Sequence, residues 1–299
     1  MAKGRQLRGR IRSVRNTRKI TRTMELVSTS KLKRAQDRVI SARPYAEALR
    51  DTLYDLLTPE LAEQFPLLRP PKPIGQGGPS HAAVILITSN RGLCGSFNAS
   101  LSKEAHRRIE ELGSAGYTAD VYAVGKKGAG YFKYAGWKLT YERHDIGDKP
   151  TPEHAAVAGA RVIAAYESGQ VASVDLVYAR FQSALSTPPT TVRILPIEAH
   201  AGRAEKERAS ATRPDYILAP SADAIVEKLL PLYVYNVIYQ GLVETAASEH
   251  GARRTAMKNA TDNAGELIEI LTRTFNRQRQ AQITQEIAEI VGGAAALQG

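Results

Sequence analysis

The sequence predicts an α/β protein: a long antiparallel coiled coil of N- and C-terminal helices plus a central Rossmann-like α/β domain with a mostly parallel five-stranded sheet. Two observations carry this expectation. Apolar residues keep a spacing of three and four through both ends of the chain, whereas residues 81–199 alternate between strand-like and helix-like runs.

The first segment places Leu7, Ile11, Val14, Arg18, Thr21, Glu25, Ser28, Leu32, Ala35, Val39, Ala42, Ala46, Leu49, Leu53 and Leu56 on one heptad line. Residues 3–57 read as nearly one helix, roughly 80 Å long at 1.5 Å per residue, which Pro44 should kink or tighten locally. A helix of that length needs a partner along its seam. Residues 58–80, with six prolines and three glycines, then read as a linker.

In the middle of the chain the strand-like runs are HAAVILITS, YTADVYAVG, WKLTYER, SVDLVYARFQ and TTVRILPIEA, and helix-like runs separate the first four. Only the short stretch SALSTPP, residues 183–189, separates the last two strands, which is too short for a parallel crossover, so the fifth strand should pair antiparallel with the fourth. The polar stretch 200–215 closes this part. Ser221 supplies a capping residue for a second long helix, periodic from Ile225, Leu229, Leu232, Asn236, Tyr239, Val243 and Ala246 on to Ala260, Ala264, Leu267 and Leu271. The expected domains are therefore a coiled-coil helix over 1–58, a linker over 59–80, an α/β domain over 81–215 and a second coiled-coil helix over 216–299.

Pairing the long helices from their bases, Leu57 against Ser221, puts residue i opposite residue 278 − i, within a turn or two. The polar gap Arg18–Ser28 then falls opposite the polar window 250–260, and Glu25 is expected near Arg253 or Arg254. The C-terminal helix outlasts its partner by about sixteen residues, roughly 25 Å. Its uncharged end, VGGAAALQG, suits a sleeve made by other chains.

Charge is concentrated at one end. Residues 1–43 hold fourteen Lys and Arg against Glu25 and Asp37, a balance of +12; with a net charge of +11, the remainder sums to −1. Such a segment could bind nucleic acid, act as a transit peptide, lie on a membrane surface or face acidic protein. The nucleic-acid reading is the alternative function; it is weakened because the segment carries no aromatic residue to stack on bases. No run approaches the eighteen uncharged apolar residues of a membrane span, so no direct membrane insertion is expected. A single cysteine, Cys94, excludes an internal disulfide and suits a reducing compartment. Six scattered histidines without ligand spacing leave no expected metal.

The turn ITSNRGLCGSFNASL invites a nucleotide reading, because it follows a strand and opens a helix. It has only Gly92 and Gly95, the second strand ends without an acid, and GKKG at 125–128 lacks the following Ser or Thr of a phosphate loop. Close strand-helix packing at Gly92 and Gly95, with Asn98 or Ser100 capping, explains it better, so no cofactor is expected. The adjacent pair His144 and Asp145 is too isolated to suggest catalysis.

Three stretches, KITRTMELVSTSKLKRAQ (19–36), ITSNRGLCGSFN (87–98) and TAMKNATDNA (255–264) with RQAQITQEIAEIVGGAAAL (279–297), closely resemble the gamma subunit of F-type rotary ATP synthases. Ile283, Thr284, Glu286, Glu289, Gly293, Ala294 and Ala296 match that family's C-terminal pattern, and the likeness covers essentially the whole chain. The resemblance implies a non-catalytic central-stalk rotor, one copy per complex. It would turn inside a ring of three alpha and three beta subunits, beside epsilon and the membrane c-ring, with nucleotide bound on the ring. It also implies that Arg279 and Gln280 contact a beta loop, supported by Thr284, Glu286 and Glu289, and that Met24 and Glu25 pass the lower rim of beta. Residues 19–31 would belong to the mature first helix, which removes the transit-peptide reading. Without a presequence before Met1 the chain looks bacterial, placed by its partners at the cytoplasmic face of the plasma membrane. With no second cysteine, the thiol switch of the chloroplast branch is not expected.

Overall fold

The computed structural model describes residues 2–57, 63–71, 77–197 and 221–298, with side chains described from residue 4 to residue 293. The stretch 200–215, parts of the expected linker, Ala294 and Ala296 lie outside those bounds. The elements in chain order are α1 (Ala2–Leu56), β1 (His81–Ile87), α2 (Phe97–Ser114), β2 (Thr118–Val124), α3 (Lys126–Tyr134), β3 (Leu139–Arg143), α4 (Pro152–Glu167), β4 (Val171–Ala179), β5 (Pro189–Leu195) and α5 (Ala222–Gln298). Two compact units result: residues 1–29 with 253–299, and residues 30–252. The two long helices are continuous through Pro44 and Pro231, and each contributes to both units.

In the larger unit the sheet order is β3-β2-β1-β4-β5. All neighbours are parallel except β4 and β5, which pair antiparallel as the short connection requires. Strict alternation in β1 sends Ala83, Ile85 and Ile87 to one face and Ala82, Val84 and Leu86 to the other. The second face is covered by Phe97, Leu101, Ala105 and Ile109 of α2 and Phe132 of α3. The first is covered by Ala155, Val162 and Ile163 of α4, by Leu53 and Leu56 of α1, and by Val226, Leu230, Val234, Ile238 and Leu242 of α5. Every residue of β4 is buried, as a strand with both faces covered demands. One of them is Asp175, which accepts from Arg108 Nε at 3.0 Å and Arg193 Nε at 2.6 Å. Two guanidinium groups make that carboxylate tolerable in the interior.

The heptad line of α1 is the buried line: Leu32, Ala35, Val39, Leu49, Leu53 and Leu56 are all buried in this unit. On α5 the sequence line selected only one of two buried faces. Ile225, Leu229 and Tyr239 are half-buried and Leu232 is exposed, while the sheet-facing set from Val226 to Leu242 is the more deeply buried. Residues 241–245 are buried all round, so no single period describes this stretch. Two small residues let the helix approach: a Cβ on Gly159 of α4 would lie 2.5 Å from Tyr235, and one on Gly241 would lie 2.9 Å from Leu176 of β4. The hydroxyl of Ser221 accepts from Ala224 N at 3.3 Å, the expected cap at the start of α5.

The glycine-rich turn corrects the sequence reading in two respects. Asn98 caps nothing: its side chain returns to Ser89, accepting from Ser89 N at 3.1 Å and donating to Ser89 Oγ at 2.8 Å, and the N-cap of α2 is Ser96, without a side-chain bond. Ser100 only donates its backbone N–H to Ser96 O at 2.8 Å. Gly92 is not the close-packing residue either, since a Cβ there would meet nothing nearer than Lys127 at 3.7 Å. Gly95, at φ +62, does take the left-handed backbone that favours glycine, and the tightest approach is at Gly125, at φ +106, where a Cβ would fall 2.2 Å from Thr88 O.

A loop between β3 and α4 reaches both long helices. Asp148 forms an ion pair with Lys31, Arg38 Nη1 donates to Asp148 O at 2.7 Å, and His250 Nε2 lies 3.5 Å from Asp148 Oδ1. Burial acts to raise the Asp148 carboxyl, but the Lys31 hydrogen bond and the charges of His250, Lys31 and Arg91 hold it below its ordinary value.

Gly125→Ala is expected to lower stability by about 3 kcal/mol or more, because the backbone must leave a left-handed well or displace Thr88. Gly92→Ala should cost less than about 1 kcal/mol. Urea unfolding of the two variants checks the contrast. The lowered Asp148 pKa contributes stability above its ordinary 3.8 that is lost as pH falls through the depressed value. Asp148→Asn should therefore flatten the acid limb of the stability–pH profile. The loss at neutral pH should stay below about 1 kcal/mol, since the side chain is 43% exposed.

Candidate interaction surfaces

In the smaller unit, residues 2–29 of α1 run antiparallel to residues 253–298 of α5. Thr261 Oγ1 lies 2.7 Å from Thr21 Oγ1, and the Arg8 guanidinium sits 5.3 Å above the Phe275 ring. These facing pairs sum to 282 and 283 where the bases predict 278, an offset of about one helical turn. That register puts Met257 nearest to opposite Glu25, with Arg253 and Arg254 about one turn away, inside the turn or two the pairing allows. The described ion pair of Glu25 is with Arg22 of its own helix at 2.9 Å, while Arg253 is buried and Arg254 half-buried.

The seam here is polar, as the two matched gaps suggest. Ile11, Thr21, Ser28, Met257, Thr261 and Ala264 are buried, a set with little bulk. Thr261 also lies 2.8 Å from Met257 O, and Ser28 donates to Met24 O at 2.7 Å, so the hydroxyls are satisfied within the pair. Arg18, on the seam line, escapes by lying across Gly265: a Cβ there would be 3.7 Å from the guanidinium.

Outside the seam the first helix is strongly basic. Arg5, Arg8, Arg12, Arg15, Arg18, Lys19 and Arg22 line a groove of about 1260 Å³ whose lining contains one acid, Asp262. Ile20, Leu26 and Val27 add exposed apolar side chains to the same helix. Met24 and Glu25 are half-buried beside them.

Residues of α5 beyond about 281 continue past the start of α1, and the side chains from Ile283 to Gly293 are exposed. Ile283, Ile287, Ile290 and Val291 form an apolar stripe exposed at 47–71%. Arg279, Gln280, Thr284, Glu286 and Glu289 are exposed with them. Gln282 donates to Glu286 and Gln285 to Glu289, each at 2.9 Å, and Thr284 donates to Gln280 O at 3.0 Å. These bonds run along the helix and hold both carboxylates in fixed rotamers.

Residues 88–90 of the turn after β1 are instead bonded to the turn after β2. The first amides of α3, which would meet a phosphate in a nucleotide-binding fold, are already bonded. Lys126 N donates to Asn90 Oδ1 at 2.9 Å, Lys127 N to Ser89 O at 3.1 Å and Gly128 N to Thr88 Oγ1 at 2.9 Å. Asn90 Nδ2 is spent on the carbonyls of His144 and Ile146. Cys94 is buried and accepts from Asn98 Nδ2 at 3.2 Å. His144 and Asp145 do not act together: Asp145 pairs with Arg143, whose hydrogen bond pulls its carboxyl down to about 2, and His144 faces Glu142 at 3.5 Å. Sequence reasoning missed Asn90 and Gly125; the glycine ending a strand was its only visible signal.

A family model described as ATP synthase matches residues 3–297. The chain is 54% identical over 299 residues to the ATP synthase gamma chain of Gemmatimonas aurantiaca, covering 100% of each, and 41% identical over 297 residues to that of Leptospira biflexa, covering 99% and 100%. The chain belongs to the ATP synthase gamma-chain family. Among solved structures it resembles a chain of the Euglena gracilis mitochondrial ATP synthase (OSCP/F1/c-ring, rotational state 3), with a TM-score of 0.69 at 21% identity over 99% of this chain and 95% of that one. It also resembles a chain of the Tetrahymena thermophila mitochondrial ATP synthase (central stalk/c-ring), with a TM-score of 0.56 at 24% identity over 81% and 99%. A gamma chain is a subunit of a membrane-associated complex, and no described helix here is long and apolar enough to cross a membrane.

Thr21→Val or Thr261→Val alone should destabilise this unit by less than about 1 kcal/mol, because the remaining hydroxyl loses the bond between the helices but keeps the one to a carbonyl of its own helix, Arg18 O or Met257 O. The double Val variant should return close to wild type. Thermal unfolding of the three variants, with hydrogen exchange on residues 15–29, checks this.

Proposed function

We propose that this chain is the rotating central stalk of an F-type ATP synthase, a subunit without catalytic chemistry of its own. It would couple ion flow through the c-ring to ATP synthesis or hydrolysis on the beta subunits. The observation that carries the reading is the end of α5: a helix continuing past its partner with Ile283, Ile287, Ile290 and Val291 exposed. Bare apolar surface of that kind calls for a surrounding sleeve, and a ring of alpha and beta subunits supplies one. The full-length family match supports the same assignment.

On this reading, Arg279 and Gln280 make polar contacts with a beta loop at one rotor angle, and Thr284, Glu286 and Glu289 support that surface. Met24 and Glu25 pass the lower rim of beta, and Glu25 lies about one turn from Arg253 and Arg254 on the facing helix, near enough to form a coiled-coil contact as the sequence suggests. The basic groove from Arg5 to Arg22 faces acidic protein, attracting it through long, flexible side chains without interlocking. A shaft that meets three copies of one surface in turn must not bind any of them too tightly. Its asymmetry then shifts each beta subunit successively among its nucleotide states. The epsilon subunit and the c-ring would attach elsewhere on the chain, at the cytoplasmic face of the plasma membrane.

The test is reconstitution with alpha and beta subunits of a close relative. A bead attached at Tyr134→Cys, where the native side chain is 95% exposed, should rotate during ATP hydrolysis; Cys94 is too buried to serve. Gln280→Leu should assemble normally and lower coupled turnover roughly two- to tenfold, the kinetic equivalent of one hydrogen bond. Wild-type turnover in that variant would remove Gln280 from the interface.

A further inference from the structure

The larger unit holds its two long helices in two physically different ways. Leu32, Ala35 and Val39 of α1 pack with Phe181, Val243 and Ala247. Apolar contact of this kind is non-directional: it resists separation and keeps the buried face turned inward, but it sets the fine angle and axial position of a helix less sharply than hydrogen bonds and ion pairs of fixed geometry do. The directional contacts are few, and they come from groups that apolar packing would not require.

For α1 they converge on one loop residue. The Asp148 carboxylate takes the Lys31 ammonium, its carbonyl takes Arg38 Nη1 at 2.7 Å, and on its other side its Oδ1 lies 3.5 Å from His250 Nε2 of α5. Lys31 and Arg38 are two turns apart on α1, so the same residue grips that helix at two points. For α5 the contacts converge on the end of β4 and the residues after it. Glu244 Oε2 accepts from Phe181 N at 3.0 Å, Thr245 Oγ1 accepts from Ala179 N at 3.2 Å and Ser248 Oγ donates to Ala179 O at 3.2 Å. Gln240 Nε2 holds the other oxygen of Glu244 at 2.9 Å. Glu244 is only 3% exposed. Burying a carboxylate is costly, and leucine would occupy similar space without that cost. What the carboxylate adds is direction.

We infer that Asp148 and Glu244 are positioning residues that fix the rotational setting of α1 and α5 on the sheet, so that a twist applied to the α/β unit is passed to the helix pair instead of being lost in slippage. The consequence for coupling rests on the rotor reading; the mechanical claim does not.

The mechanical claim is tested on the isolated full-length chain in a Cys94→Ala background. Spin labels at Arg34 and Lys133, both exposed, report the setting of α1 against α3, and labels at Lys228 and Lys133 report that of α5. Lys31→Ala and Asp148→Ala should broaden the first distance distribution without a matching fall in melting temperature, and Glu244→Leu should broaden the second while also lowering the melting temperature, because the buried Phe181 N–H loses its acceptor. Lys31→Arg, which can still reach Asp148, should keep the narrow distribution. Unchanged widths overturn the inference. So does broadening that Lys31→Arg shares with Lys31→Ala, which would assign the effect to packing. Lys31 lies on the surface, so its variants keep the test readable if the Glu244 variant does not fold. In the reconstituted complex the same substitutions should lower the torsional stiffness read from bead fluctuations. A wild-type complex that never rotates would refute the rotor reading while leaving the label result standing.

Discussion

Helices of 55 and 77 residues hold together in water only while neighbours cover their apolar lines. That requirement organises the chain. Along α5 the cover changes in kind: residues 241–245 are buried all round, residues 257–264 are covered on one side by the basic helix α1 through Thr21 and its neighbours, and residues 283–293 are exposed. The same helix is thus a core element at one end and an uncovered strip at the other. The exposed end carries the apolar stripe and the polar groups Arg279, Gln280, Thr284, Glu286 and Glu289, and the buried end carries polar contacts to the sheet.

The polar seam follows from the same requirement. A seam of leucines between residues 11 and 28 would hold the pair more tightly, but Thr21, Ser28 and Thr261 give only satisfied hydroxyls and little buried area.

The α/β unit shows how a fold associated with ligand binding can close on itself. The strand-turn-helix geometry after β2 is of the kind that elsewhere presents amides to a phosphate. Here Asn90, Ser89 and Thr88 consume those amides, and Gly125 permits the approach that lets Thr88 do so. The turn serves as a joint between β1, α3 and the loop after β3. That loop then leads on to Asp148 and hence to both long helices.

Much of this architecture was legible in the residues. Periodicity identified both long helices, the five strands and every buried position on the lower part of α1, because hydrophobic spacing is a local property of the chain, and the short connection before the fifth strand made it antiparallel. It missed the sheet-facing side of α5, since a helix covered on two sides has no single stripe to find. It set the register of the polar pair about one turn off, because spacing fixes which face is buried but not how far one helix slides along another. The residues that key the parts together were invisible for a related reason: Asp148 meets Lys31 across 117 positions and Glu244 meets Phe181 across 63. The sequence by itself determined which segments are helix or strand, where the charge lies and which side of α1 seeks cover. Only the tertiary structure decided which glycine must be glycine and which carboxylates fix direction, because steric approach and hydrogen-bond geometry exist only between atoms that folding has brought together.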